Sequence, residues 1–287
     1  MSSNRNHRPR VMGIVNTTPD SFSDGGRHLA PEAALAHARR LIAEGADILD
    51  LGAESTRPGA EPVAAEVEIA RLVPLIATIR AESAVPISVD TMKPEVARAA
   101  VAAGATMWND VSALRQAPES AAVAAELGCE VVLMHMRGEP RTMQHEPHYL
   151  DVVAEVAEFL TRRAEAAMAA GVARERIWLD PGVGFGKHMI RHNLPLLAGL
   201  SRIVALGFPV LLGASRKSFI GALDHGAGPD DRLGGSIAAA LAGAAAGVAM
   251  VRVHDVRETV QALAVDAAIR GAARTPLTPS SPGLSGG

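Results

Sequence analysis

Along the 287-residue chain, side chains able to do chemistry recur directly after short apolar runs. In order they are Asn16, Asp50 with Glu54, Asp90, Asn109 with Asp110, His135, Asp180, Ser215 with Arg216 and Lys217, and Arg252 with His254. Asp90, Asn109 and Asp180 can accept hydrogen bonds from a ring rich in N–H groups, and Lys217 can donate to a carbonyl on that ring. Asn16, Arg57, Arg252 and His254 form a polar, cationic set suited to a phosphate-type anion. A heterocycle and a diphosphate recognised side by side define a narrow class of substrate. Singly, an Asp after a strand can instead cap the next helix, and Asp50, Asp110 and Asp255 read equally well that way. Capping is a poor account of successive runs that all end in hydrogen-bonding groups.

The elements that must position these residues form a repeated unit. Gly45, Gly104, Gly128, Gly171, Gly207 and Gly247 each close a helix-like stretch and precede a β-rich run. Glycine there tolerates the left-handed backbone that ends a helix. Strands are expected at 11–15, 47–51, 86–89, 106–108, 130–134, 177–179, 209–212 and 249–253. Helices are expected at 31–44, 63–81, 94–103, 119–127, 149–170, 194–206, 233–246 and 256–270. The strand runs are apolar throughout rather than alternating, as when helices cover one face and a barrel interior fills the other. The pattern predicts a single-domain α/β fold, a (β/α)8 TIM barrel, over residues 10–271, since such barrels take about 250 residues. A doubly wound open sheet is the alternative. Residues 1–9 read as a flexible tail and 272–287, rich in Pro, Ser and Gly, as a disordered one. In a barrel the strand C-termini share one mouth, so the polar residues would line one bowl.

The totals narrow the partners. A net charge of −3 suggests no nucleic-acid or anionic-membrane partner. Cys129 alone supports no disulfide framework and fits a reducing, cytoplasmic setting. No signal peptide is expected in the polar start, and the apolar stretch 237–251 is shorter than the roughly 20 residues that cross a bilayer. Residues 213–218 lack the glycine before lysine that a phosphate-binding P-loop needs. His145, His148, His188 and His192 show no zinc-site pattern with an acidic partner, whereas magnesium carried in on a diphosphate needs few protein ligands. The stretches 16–26 and 54–59 are read as lids or binding loops, because βα loops usually run about 2–6 residues. Ser218, near a helix start, is suited to a carboxylate.

Segments 12–26, 54–59, 87–94, 109–112, 133–144, 180–187, 212–221 and 251–259 together resemble the dihydropteroate synthase family, over residues 11–270. The resemblance implies an enzyme that joins a pterin pyrophosphate to para-aminobenzoate. It implies that Asp90, Asn109, Asp180 and Lys217 hold the pterin, walled by Met134 and Arg216. Asn16, Arg252 and His254 would hold the diphosphate with Mg2+, Asn16 being the metal ligand. Thr56, Arg57, Phe185, Lys217 and Ser218 would surround para-aminobenzoate. Asn16, Asp90, Asp180, Lys217, Arg252 and His254 would carry the reaction, and a homodimer and a sulfonamide target are implied too. Two departures stand out. Four residues, 188–191, precede His192-Asn193 where the family has three, which bears on Lys187 and its loop, and Thr17 replaces a Val or Leu. A methyltetrahydrofolate-binding methyltransferase, a non-catalytic pterin-binding relative and a Schiff-base aldolase using Lys217 remain rival readings.

Overall fold

The computed structural model describes residues 8–17, 29–54, 62–138 and 147–272. Most of both long loops, including Thr56 and Arg57, and nearly all of the two expected tails lie outside the described residues. Eight strands are present: β1 (Arg10–Asn16), β2 (Ile48–Gly52), β3 (Ile87–Asp90), β4 (Met107–Asp110), β5 (Glu130–Met134), β6 (Ile177–Asp180), β7 (Leu211–Leu212) and β8 (Met250–Val253). The helices are α1 (Leu29–Ala43), α2 (Ala65–Glu82), α3 (Pro94–Ala102), α4 (Ser120–Leu127), α5 (Val152–Ala169), α6 (Asn193–Ala198), α7 (Leu200–Val204), α8 (Ser218–Leu223), α9 (Leu233–Ala246) and α10 (Val256–Ala272).

The strands run parallel in the order β6-β5-β4-β3-β2-β1-β8-β7. A parallel bridge between Leu179 and Val210 joins the two outer strands, and the Leu179 N–H donates to the Pro209 carbonyl at 2.9 Å. The sheet therefore closes on itself as a (β/α)8 barrel, and the open-sheet alternative is excluded.

The six helix-closing glycines all have positive φ, between 58° and 116°, as their place in the repeat requires. Strand residues alternate between the barrel interior and the helix layer. Outward side chains such as Leu49, Val89, Trp108 and Leu133 join the helices in one core. Inward ones, Met12, Ile48, Met107, Val132, Trp178, Leu211 and Met250, plug the barrel below its midline. Two residues further along, the inward positions turn polar: Asp50, Asn109, Asp180 and Arg252. The apolar plug supports the site and excludes water from beneath it.

Three departures from expectation have local causes. The helix expected at 194–206 breaks at Gly199, whose φ of −92° and ψ of 9° leave the helix. A Cβ there would lie 2.7 Å from Val153 on α5. The six-residue α8 is too short to show a helical period. Of the expected N-terminal tail, residues 8 and 9 are anchored: Arg8 pairs with Asp47 at 2.6 Å and Pro9 is buried.

Candidate active site

The site is built on the polar layer above the plug. Arg252 on β8 donates through Nε to Asp50 Oδ2 at 2.5 Å and through Nη2 to Asp90 Oδ2 at 2.7 Å. Asp50 Oδ2 also accepts from Asn109 Nδ2 at 3.2 Å. Asp50 is fully buried and Asn109 4% exposed. Burial works against the Arg252 charge, but the Asp50 and Asp90 carboxylates outweigh it and hold the guanidinium above its ordinary pKa. Burial pushes Asp90 up to about 7, with Arg252 opposing the rise. Asp50 is therefore no helix cap; it faces the interior, a role its sequence position left open. Asp110 does act locally, accepting from the Ser112 and Leu114 N–H groups at 2.7 and 2.8 Å. Asp255 turns outward to Arg216.

On the β6 side, Asp180 Oδ1 accepts from the Gly182 N–H at 2.7 Å. Burial raises its pKa to about 6, against that hydrogen bond and Lys217. The loop that follows needs its glycines. Gly182 has φ of 65° and Gly186 φ of 60°, and a Cβ on either would overlap the carbonyl oxygen of His135 or Arg137. The β6 loop thus lies backbone to backbone on the chain leaving β5. Lys187, 1% exposed, fastens it: Nζ donates to the carbonyls of Gly182 and Phe185 at 2.8 and 3.0 Å, and lies 2.8 Å from His135 Nδ1. Burial holds this ammonium well below its ordinary pKa and lowers His135 to about 2. The residue extra to the family pattern is absorbed in a turn with Met189 and Arg191 exposed, where His188 Nδ1 accepts from the Ile190 and Arg191 N–H groups. Asn193 beyond it receives the Gly184 N–H at 2.9 Å.

Phe185 packs with Met92, Val111, Met134 and Met136 at the mouth, giving the polar groups an apolar wall. Lys217 Nζ lies 4.1 Å from the centre of the Phe185 ring. Burial and then Arg252 lower Lys217 to about 8, against the pull of Asp180 and Asp90. Ser218, exposed, opens α8. Arg216, expected against the ring, has φ of 57°, and its guanidinium pairs with Asp255 at 2.6 Å and Asp230 at 2.8 Å. His254, unlike Arg216, is held in its neutral form. Burial and Arg252 lower it to about 3. The Ser215 hydroxyl lies 3.0 Å from Nδ1 and accepts the His254 backbone N–H.

Among the described residues no three His, Cys, Asp or Glu side chains gather as a metal site. Asn16 at the end of β1 and Asp90 at the end of β3 both flank Gly52, where a Cβ would lie 3.8 Å from Asn16 Oδ1 and from Asp90 Oδ2. One amide oxygen at the mouth fits magnesium, which keeps its waters and relies on substrate phosphate oxygens; it does not fit a resident zinc.

The barrel mouth sets carboxylate and amide acceptors beside a buried guanidinium, and residues 12–254 match the family model described as pterin binding enzyme. The chain is 48% identical over 257 residues to the dihydropteroate synthase of Escherichia coli K12, covering 90% of each. It superposes on Xanthomonas albilineans dihydropteroate synthase with 4-aminobenzoic acid at a TM-score of 0.87, with 54% identity over 94% of this chain and 95% of that one. A structure of the X. albilineans enzyme with 7,8-dihydropteroate gives a TM-score of 0.83 and 51% identity over 94% and 96% of the two chains. The chain belongs to the dihydropteroate synthases, and so is a transferase. Among the described residues, no helix is long and apolar enough to cross a membrane.

Proposed function

We propose that the chain condenses 6-hydroxymethyl-7,8-dihydropterin pyrophosphate with para-aminobenzoate, giving 7,8-dihydropteroate and diphosphate in folate biosynthesis. The observation that carries the site reading is the contact of Arg252 with Asp90. A ring acceptor and an anion-binding cation share one hydrogen bond, beside which the methylene linking ring and diphosphate belongs.

Asp90, Asn109 and Asp180 accept from the pterin, Lys217 donates to its carbonyl, and Met134 with Phe185 supplies apolar surface. Arg252 and His254 donate to the diphosphate, so charge growing on the bridging oxygen as the C–O bond breaks is met by fixed donors. The carboxylates of Asp90 and Asp180 favour positive charge on the methylene. The aromatic amine forms the new C–N bond and gives its proton to water or released diphosphate. Phe185, Lys217 and Ser218 hold para-aminobenzoate, together with Thr56 and Arg57 from the loop outside the described residues. Asn16 would hold Mg2+, which supplies charge neutralisation at the leaving diphosphate.

The assay is direct: purified protein, magnesium, pterin pyrophosphate and para-aminobenzoate, scored for dihydropteroate and diphosphate. Matched release of both products supports the reading, as does its loss in EDTA; no dihydropteroate at any magnesium concentration sinks it. A sulfonamide, which presents the same aminophenyl group, competes with para-aminobenzoate. A cytoplasmic homodimer belongs to the same reading. Leu223 and Leu233 near the α8–α9 corner and Val265 and Ile269 on α10 are exposed apolar side chains available for a partner copy, and sedimentation reads the mass.

A further inference from the structure

Asp50 has no place in the reaction as described, yet two proposed substrate-binding groups depend on it. It lies on β2, paired in register with Ile14 and Ser88, its side chain fully buried, so it reaches neither substrate. Its Oδ2 accepts from Arg252 Nε at 2.5 Å and Asn109 Nδ2 at 3.2 Å. Each bond fixes an ambiguity. A terminal amide can present oxygen or nitrogen; with Nδ2 tied to Asp50, Asn109 offers Oδ1 to a ring N–H. A guanidinium can rotate about its stem; with Nε on Asp50 and Nη2 on Asp90, Nη1 is the nitrogen without a partner among the described residues, and the Arg252 side chain is 22% exposed.

We propose that Asp50 is a positioning residue for the transfer reaction, one carboxylate oxygen setting both the polarity of the ring-binding amide of Asn109 and the rotation of the anion-binding guanidinium of Arg252. The inference rests on the function proposed above. It couples the two halves of the first substrate through a group that contacts neither.

The test compares Asp50→Asn, nearly isosteric but neutral, with wild type. Steady-state kinetics are read with thermal unfolding and with separate binding of 6-hydroxymethylpterin and of magnesium diphosphate. The expected result is a fall in kcat of about 10–100-fold, the range for loss of a group that orients a contacting one. Both half-ligands bind more weakly, and KM for para-aminobenzoate is unchanged. A folded variant with kcat within about 3-fold of wild type, smaller than that range, overturns the inference, as does weakening of one half-ligand alone. Arg252→Met and Arg252→Met with Asp50→Asn cover the case in which Asp50→Asn does not fold. Because Asp50 acts through Arg252 on the anion side, the second change costs no further diphosphate affinity and raises the melting temperature by removing an orphaned carboxylate; additive loss of diphosphate binding refutes the coupling. A wild type that makes no dihydropteroate sinks the functional reading instead, and the two failures are distinguished.

Discussion

Arg252 reaches from β8 across the barrel to β3, where Nη2 donates to Asp90 Oδ2 at 2.7 Å. The contact gives the proposed anion-binding group a dual character. Arg252 neutralises Asp50 and Asp90 in the free protein and offers its remaining donors to the substrate.

Arg252→Ala is therefore expected to act on two measurements. Loss of a charge-stabilising donor lowers kcat by about 10²–10³-fold. Orphaning the fully buried Asp50 costs about 3–5 kcal/mol of stability. Stopped assays and urea denaturation report the two effects separately; near-wild-type turnover would refute the anion-site assignment.

The raised carboxylates and lowered lysine fix the pH profile. In the proposed reading Asp180, raised to about 6, and Asp90, raised to about 7, act as acceptors, and Lys217, lowered to about 8, acts as a donor. The value of kcat/KM for the pterin substrate, which reports the free enzyme, should rise from pH 6 to 7 and fall above 8. Lys217→Arg removes the alkaline limb if the assignment holds; a limb that persists belongs to another group.

Stability should follow the opposite acid trend. The folded pKa of Asp180, about 6, exceeds the unfolded value of about 3.9. Folding therefore takes up a proton between the two. Its contribution is fully present below the unfolded pKa and is lost as pH rises through the folded one. Melting temperatures across this window should fall less steeply for Asp180→Asn than for wild type, and parallel curves would contradict the assignment.

Gly182→Ala tests the seating of the β6 loop. A Cβ there meets the His135 carbonyl oxygen, and the residue has φ of 65°. We expect a loss of about 3 kcal/mol or more, and displacement of the Gly182 N–H from Asp180 should weaken pterin binding. Calorimetry on the variant checks both, and unchanged values would show that the loop yields freely.

The Lys93 ammonium is held between Glu54, at the root of the second long loop, and Glu68 on α2. Burial pushes Glu68 up while Lys93 opposes it. Lys93→Met leaves the fully buried Glu68 uncompensated, at a cost of about 3–5 kcal/mol. Adding Glu68→Leu should recover most of it in denaturant titrations. Failure to recover would assign the loss to Glu54.

The barrel was readable because glycine-closed helices and apolar strand runs are local signals: Gly45 and Gly247 mark their junctions without tertiary information. The inward positions of Asp90, Asn109 and Asp180 followed from their place at strand ends. Asp50 was not separable from a helix cap, since an aspartate after a strand looks the same in both roles and only cross-barrel register puts it against Arg252. Arg216 and Lys217 are neighbours of similar charge, and the positive φ at Arg216 that sends them to different partners is not visible in a run of basic residues. His254 read as cationic because its burial beside Arg252 is a property of the folded mouth. Thr56 and Arg57 lie outside the described residues.

Barrel closure is uneven around the ring. Between β6 and β7 it rests on the bridge of Leu179 with Val210 and the bond from the Leu179 N–H to the Pro209 carbonyl, beside Asp180 on one side and ahead of Lys217 on the other. In the proposed reading a pterin held by both side chains straps that seam. Ligand occupancy then acts as a rivet, slowing amide exchange at Leu179 more than at amides in the multiply bonded β1–β2 joint.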